Sequence, residues 1–294
     1  MLNAKFKNEL TKVIVITAGL FTTLAVFSIY YFIISDGVLV FSEVSFREFF
    51  LSPFWYPTYS NPEFGILALL IGTLSVTGLT VLISIPLAFV IAIYMGAFAR
   101  KIFRRPFKFV FELMAGIPSV VLGSFGLRYV SEWLTDHFPN MWTGLNILNA
   151  SLMLSILAMP YFITLMEDAI RSVPRDQKQA SLALGANLTS TIFRVIIPQA
   201  KNGIINAVIL GTNRIIGETM IVLMIAGGSA MIPKSIFDPV RPLTATIAGE
   251  MGEVELNSVH YHALFMIGVV ILFISTVFTI IVMRLKRNDL DASR

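Results

Sequence analysis

Long uninterrupted apolar stretches dominate the chain, and its polar residues gather between them instead of alternating with them. A membrane-spanning helix needs about 20 mostly apolar residues to cross a hydrocarbon core of about 30 Å. Six stretches of that kind stand out: residues 13–34, 64–98, 109–130, 145–165, 203–226 and 263–283. The first follows Lys5, Lys7 and Lys12, lacks an Ala-x-Ala-like cleavage site and is longer than a signal-peptide core, so it reads as a retained span. The second exceeds one straight crossing and carries Pro86 as a kink point. Gly116, Pro118, Gly123 and Gly126 interrupt the third, Pro160 lies in the fourth, and the fifth holds Arg214 and Glu218. The pattern predicts an all-α membrane protein with six transmembrane helices.

Composition agrees. Of the 294 residues 56% are apolar and 14% charged, against roughly 45–50% and about 25% in a typical globular domain. Nothing is low-complexity, heptad-like or cysteine-rich, which excludes disorder, collagen, a coiled coil and a disulfide scaffold. The absence of cysteine leaves the redox compartment unread. A net charge of +4 suggests nucleic acid in a soluble protein, but here the placement of the charge matters more than its sum. Short loops rich in lysine and arginine stay in the cytoplasm. With the N-terminus inside, the inner segments hold 17 of the 22 basic residues, including Arg100, Lys101, Arg104, Arg105, Lys108, Arg171, Arg175 and Lys178. The outer segments hold Arg47, Arg128, Lys234 and Arg241 against ten acidic residues. Both termini are therefore expected in the cytoplasm, and Arg214 is the basic residue that falls inside a span.

The chain divides into an N-terminal helix with an outer loop (1–63), a transmembrane domain (64–284) with an inner loop at 167–201, and a short cytoplasmic tail (285–294). The outer stretch 35–63 carries Phe49, Phe50, Phe54, Trp55, Tyr56 and Tyr59, rings of the kind that commonly sit at a membrane interface. The outer stretch 227–261 has room for a short helix near 243–251. His260 and His262 with Glu253 and Glu255 bring a metal to mind, but their spacing matches no standard zinc signature. In the inner loop Pro174 suits a helix start, residues 177–184 read as a short helix, and Gly185 suits its C-cap. A second helical piece follows, so the loop reads as a solvated connector or a knob for a partner.

That inner loop resembles the cytoplasmic EAA loop of bacterial ABC-importer permeases: Glu-Ala-Ala, three residues, Gly, nine residues, Ile-x-Leu-Pro. Gln179, Ala180 and Ser181 take the first three positions, Gly185 the glycine, and Val195, Ile197 and Pro198 the close. The resemblance implies that the helix seats in a cleft of an ATPase subunit, with Gln179 replacing the glutamate. Residues 211–220, Gly-Thr-Asn-Arg-Ile-Ile-Gly-Glu-Thr-Met, resemble the Gly-x-x-Arg-x-x-Gly-Glu-Thr signature of phosphate-specific ABC permeases, and Met220 is more similar to their C-type than their A-type subunit. Residues 64–95, 112–119, 244–250 and 260–265 agree, so the likeness spans about 55–285. It implies a type I ABC importer permease (MetI-like) core in a bacterial inner membrane that moves phosphate. The implied partners are an A-type sister permease, a dimer of ATPase subunits that bind ATP and Mg, an extracytoplasmic phosphate-binding protein and membrane lipid. No nucleic-acid partner and no cofactor in this chain are expected.

The chemistry of the fifth span gives a parallel argument. A charge at bilayer depth costs about 2.5–3.5 kcal/mol on insertion scales and so faces a bundle interior or a water-filled path. Arg214 and Glu218 stand at i and i+4, which on a continuous helix is one face, and Gly211 and Gly217 near that stripe allow close approach. Arginine stays protonated and offers a planar fork to phosphate oxygens. Glutamate holds the arginine between passages or accepts from a protonated phosphate, and a purely structural ion pair is the other reading. Gly116-Ile-Pro-Ser119 either opens a helix to the path or is a plain proline kink. The candidate pathway set is therefore Arg214 and Glu218, with Thr219 from the signature and Ser119 from the break. No Gly-x-x-x-x-Gly-Lys-[Ser/Thr] loop and no hydrolase motif occurs, so the chain carries no ATP site of the P-loop kind and no evident catalytic centre. Another oxyanion such as phosphonate or sulfate, an autonomous channel or secondary transporter, and more distantly an intramembrane enzyme, stay open at this level.

Overall fold

The computed structural model describes residues 4–139 and 141–292, and the side chains of residues 4–8, 101, 103 and 285–292 lie outside the described set. The charges at Lys5, Lys7, Lys101, Lys286, Arg287 and Arg294 thus fall outside it. The helices are α1 (Ala4–Val38), α2 (Phe46–Leu51), α3 (Leu67–Ile93), α4 (Lys101–Ala115), α5 (Ser119–Phe125), α6 (Ser131–His137), α7 (Ile147–Ser172), α8 (Arg175–Ala183), α9 (Leu188–Thr191), α10 (Ile197–Ile216), α11 (Met220–Ile225), α12 (Leu243–Glu250) and α13 (Val259–Ala292). A two-stranded antiparallel ribbon, β1 (Trp55–Tyr56) with β2 (Glu63–Phe64), folds the loop between α2 and α3. Residues 285–292, expected as a tail, continue α13.

Four of the six predicted spans are long apolar helices: α1, α3 with the π-helical turn Tyr94–Phe98, α7 and α13. Pro86 and Pro160 sit inside α3 and α7 without breaking them. The predicted third span is different. It is α4 followed by α5, the π-helical turn Gly126–Val130 and α6, with a bend of 84° between the two parts. Proline disfavours helical backbone at the residue before it, and Pro118 itself is extended at φ −61°, ψ 135°. The fifth prediction also breaks: α10 ends at Ile216, Gly217 is its C-cap, and α11 starts only at Met220. Among the described residues four helices cross by length and composition, or five with the bent pair counted as one.

The main core joins α3, α7, α10 and α11. Small residues let α3 and α7 pack along most of their length, with Ala88, Ala92, Ala150 and Ala158 buried. Ser151 donates to the Val76 carbonyl at 3.2 Å, a hydrogen bond across the two helices that helps to set their register, while the Ser155 hydroxyl bonds the Ser151 carbonyl of its own helix at 2.6 Å. Gly211 of α10 lies against the Phe162 ring so closely that a Cβ there would be 2.1 Å from it. A second core forms at the opposite end of α3 from Val40, Phe49, Trp55, Phe64, Leu69, Leu264 and Ile267. The aromatic outer stretch therefore does not lie wholly at an interface as expected. Phe49 and Trp55 are buried in protein, whereas Phe54, Tyr56 and Tyr59 stay exposed.

Candidate functional site

Arg214 occupies the last turn of α10, where unpaired carbonyls favour a cation. It is exposed, its guanidinium carbon lies 5.8 Å from the Tyr161 ring centroid, and no ion pair to it is found among the described residues. The expected pair with Glu218 does not form. Its i, i+4 spacing presumed a helix running through Gly217, but α10 ends at Ile216 with Gly217 as its C-cap. Glu218 instead turns toward the next helix. Its Oε1 accepts from the Met220 amide at 3.2 Å, filling a donor left open at the start of α11, and its carbonyl accepts from Thr244 Oγ1 at 2.8 Å. A water-sized void of about 10 Å³ adjoins Glu218 among Thr73, Thr77 and Thr244.

Thr219 Oγ1 donates weakly to the Gly217 carbonyl at 3.3 Å, and Ser119 opens α5 just after the bend. α5 packs on α11, with Gly123 facing Met224, so the chain just after Ser119 lies beside the chain just after Thr219. No hydrogen bond or ion pair joins Ser119, Arg214, Glu218 and Thr219 side chains to one another among the described residues. Of the two glycines expected to admit a neighbour, Gly211 does so, while a Cβ at Gly217 would meet nothing but its own helix carbonyls. Asn206 and Asn213 were not foreseen. Each has a buried side-chain oxygen without a partner, and the signal available was their seven-residue spacing, which puts both on one face of α10.

The short helix read between Pro174 and Gly185 forms, with its glycine stop. α8 begins at Arg175, after Pro174, and ends in a paired C-terminal turn: Ala186 N–H donates to the Ser181 carbonyl at 3.2 Å and Gly185 N–H to that of Leu182 at 3.0 Å. Gly185 is left-handed at φ +85°, the conformation that glycine adopts without cost. Gln179 and Ala180 are exposed, and Leu184 is 90% exposed at the tip. Ser181, which replaces an alanine of the family pattern, bonds the buried Thr191 hydroxyl at 2.9 Å and ties α8 to α9. Pro198 lies at the head of α10 after the π-helical turn Ile192–Ile196. A wider turn there removes the conflict between a ring without an N–H and the preceding helix.

Two further clusters each centre on a glutamate. Glu250 of α12 accepts from Arg241 Nη1 at 2.6 Å, from Trp55 Nε1 at 3.0 Å and bonds His260 Nε2 at 2.9 Å. The histidine that invited a metal is thus joined to Glu250 rather than to Glu253 or Glu255. Glu167, in the C-terminal part of α7, is 1% exposed; its Oε1 is 3.3 Å from Arg104 Nε and 3.6 Å from Arg171 Nη1. The stretch read as an inner loop from residue 167 therefore begins inside α7.

The model of a family described as "Binding-protein-dependent transport system inner membrane component" matches residues 84–288, more than two thirds of the chain. Among curated proteins the chain is 35% identical to a probable ABC transporter permease protein, YqgH, of Bacillus subtilis, over 81% of this chain and 77% of that one. It is 28% identical to the phosphate transport system permease protein PstC of Haemophilus influenzae, covering 92% and 93%. Among solved structures it matches a bacterial ABC transporter involved in import of alginate, at TM-score 0.62 and 14% identity over 99% of this chain and 100% of that one. The MetNI methionine ABC transporter matches at 0.55 and 18%, over 73% and 93%. At such identities these structures speak for the fold alone.

Proposed function

The chain belongs to the family of inner membrane components of binding-protein-dependent transport systems, and from that premise we propose that it is the C-type permease subunit of an importer for inorganic phosphate. Relatives named PstC, 28–30% identical over most of their length, support the substrate. The observation that carries the reading is Arg214: a permanent cation in the depth of an apolar sequence, exposed on this chain and without a carboxylate partner among the described residues. Its fork of five N–H donors suits phosphate oxygens. Thr219, the Ser119 hydroxyl and the amide groups of Asn206 and Asn213 complete a polar path, with Glu218 shaping the turn that presents Arg214.

In this reading α10 and α11 together make one broken crossing, the bent pair makes another, and the chain spans six times with both termini in the cytoplasm. A sister permease of the A type covers the exposed face bearing Arg214. An ATPase dimer, holding ATP and Mg, grips the tip formed by Gln179, Ala180 and Leu184, and a phosphate-binding protein docks on the opposite side. ATP-driven closure of the ATPases moves α8, and the hydroxyl tie at Ser181 with the turn at Gly185 and the helix headed by Pro198 passes that motion to α10.

Arg214→Ala in the assembled complex tests this. Phosphate uptake should be abolished with complex yield retained, and Arg214→Lys should recover little, because a point charge lacks the fork. Adding Glu218→Ala should rescue nothing, since the two residues are not paired. Recovery of uptake in the double variant would return the pair to a structural role and withdraw Arg214 from the path. Competition by sulfate or phosphonate at equal concentration distinguishes another oxyanion as cargo.

A further inference from the structure

At the coupling-helix end of the bundle a cleft of about 260 Å³ opens between the end of α3, the start of α4, the end of α7 and the start of α8. Four basic side chains line it: Arg104 from α4, Arg171 from α7, and Arg175 and Lys178 from α8. The rest of the lining is small or apolar, among them Gly96, Ala97 and Pro174, and no acidic residue belongs to it. Glu167 stands behind this wall. Its buried carboxylate lies at ion-pair distance from Arg104 and Arg171, yet its Oε1 has no hydrogen bond, so it fixes the two guanidiniums without using up their donors. Arg175 and Lys178 have no ion pair at all among the described residues. Four cations thus face one cleft over a single carboxylate, an arrangement whose mutual repulsion is unfavourable until an anion enters.

We propose that this cleft is a binding site for a phosphate group, separate from the transport path. Three guanidiniums arriving from three helices suit an anion with three or more oxygens better than a two-oxygen carboxylate. The cleft is large enough for such a group with several waters, given a share of about 30 Å³ per water. The start of α8 lies at this cleft, since its N-cap Pro174 and first residue Arg175 both line it; no side chain caps the helix, and Asp176 is the acidic residue of its first turn. Two sources supply this chemistry. One is the phosphate of an anionic lipid headgroup, because α4 carries exposed Ile102, Phe107 and Phe109 beside Arg104, as a helix lying in a membrane interface does. The other is free inorganic phosphate on the side where the ATPases act. Assigning that side to the cytoplasm rests on the orientation proposed above, whereas the binding itself does not.

The test uses the complete complex with its ATPase, in nanodiscs that expose both faces, so that a wrong orientation does not by itself remove binding. In one arm, phosphatidylcholine nanodiscs are titrated with radiolabelled inorganic phosphate, in an Arg214→Ala background to silence the transport path. In the other arm, phosphatidylglycerol is added stepwise and the retained molecules are counted by native mass spectrometry. Arg175→Gln with Lys178→Gln should weaken one arm at least about tenfold, as expected for losing two charged contacts. The charge-preserving exchange Arg175→Lys with Lys178→Arg should keep most of the affinity. If the double neutralisation fails to assemble with the ATPase, the single Lys178→Gln variant is read in the same way, with a smaller loss expected. A loss in the phosphate arm identifies the free ion, and a loss in the lipid arm identifies the headgroup. Equal affinities of parent and neutralised variants in both arms would overturn the proposal. Phosphate uptake by the parent with Arg214 intact, measured separately, reports on the transport reading and not on this one.

Discussion

Glu250 and Glu167 sit near opposite ends of α3, and each gathers two or more cationic or N–H partners, but they solve the same electrostatic problem in opposite ways. Glu250 is matched: Arg241, His260 and the indole of Trp55 all reach it within 3.0 Å by their nearest atoms, drawing together the loop before α3, the segment before α12 and the start of α13. Glu167 is outnumbered, with two arginines at 3.3 and 3.6 Å and two more basic side chains beyond. The first is a clamp that closes a fold from distant segments. The second leaves charge in surplus at a place built to meet something else. The lesson is that the number of charges around a buried carboxylate says little until their hydrogen bonds are counted.

The largest expected effect concerns which side each cluster faces. Single cysteines at Ser60→Cys and Ser258→Cys, near the Glu250 clamp, should react with an impermeant thiol reagent added to intact cells, while Ser190→Cys, near the Glu167 end, should not. The chain has no native cysteine to confuse the readout, and labelling at 190 from outside would invert the comparison. Next comes the clamp itself. Glu250→Ala leaves the indole N–H of Trp55, a residue 1% exposed, without an acceptor, Arg241 without a counter-charge and His260 without its bond. A loss of about 2–3 kcal/mol is expected, read as a drop of several degrees in the thermal midpoint of the solubilised protein.

Gly185→Val follows. It forces a β-branched residue to φ +85° at a cost of about 1–2 kcal/mol confined to the α8 turn. The amount of ATPase that copurifies should fall while membrane insertion is unchanged, and a normal yield of ATPase with normal transport would remove α8 from the coupling role. Trp55→Phe deletes the donor together with part of a fully buried indole, so about 1–2 kcal/mol is expected from the lost bond and the space left behind. The smallest effect belongs to Glu167→Gln. Its partners Arg104 and Arg171 keep side-chain exposures of 24% and 39% and so retain water, and the change relieves a buried charge. A stability change under about 1 kcal/mol is expected, and a loss as large as that of Glu250→Ala would mean that the two clusters are both clamps.

Four spans were legible because apolar length alone specifies them, and α12 was legible from a short run between turn residues. α8 was legible too, since Pro174 and Gly185 punctuate it with residues whose backbone preferences have few uses elsewhere. The breaks inside apolar runs were harder. Pro86, Pro118 and Pro160 are alike in sequence, but only Pro118 follows a glycine-containing turn that lets the chain bend instead of strain. The error at Arg214 and Glu218 came from extending one helix through Gly217, and it turned an isolated cation into a pair. The Glu250 clamp was beyond reach of any local pattern, because Trp55 and Glu250 are 195 residues apart. Ser181 looked like a departure from the family pattern, whereas its hydroxyl has a specific partner in Thr191.

The tight crossing of Gly211 on Phe162 has a mechanical consequence. From Leu188 through the π-helical turn to Ile216 the chain is helical without interruption, a rod about 40 Å long. It meets α7 closely at two glycines: a Cβ at Gly203 would be 2.7 Å from that of Ala169, and one at Gly211 would be 2.1 Å from the Phe162 ring. Two such seats about 12 Å apart along the rod leave it little freedom to tilt or roll against its neighbour. A displacement imposed near Leu188 is therefore expected to carry α7 and the rod as one unit, so that Ile216 shifts with the pair and not by itself.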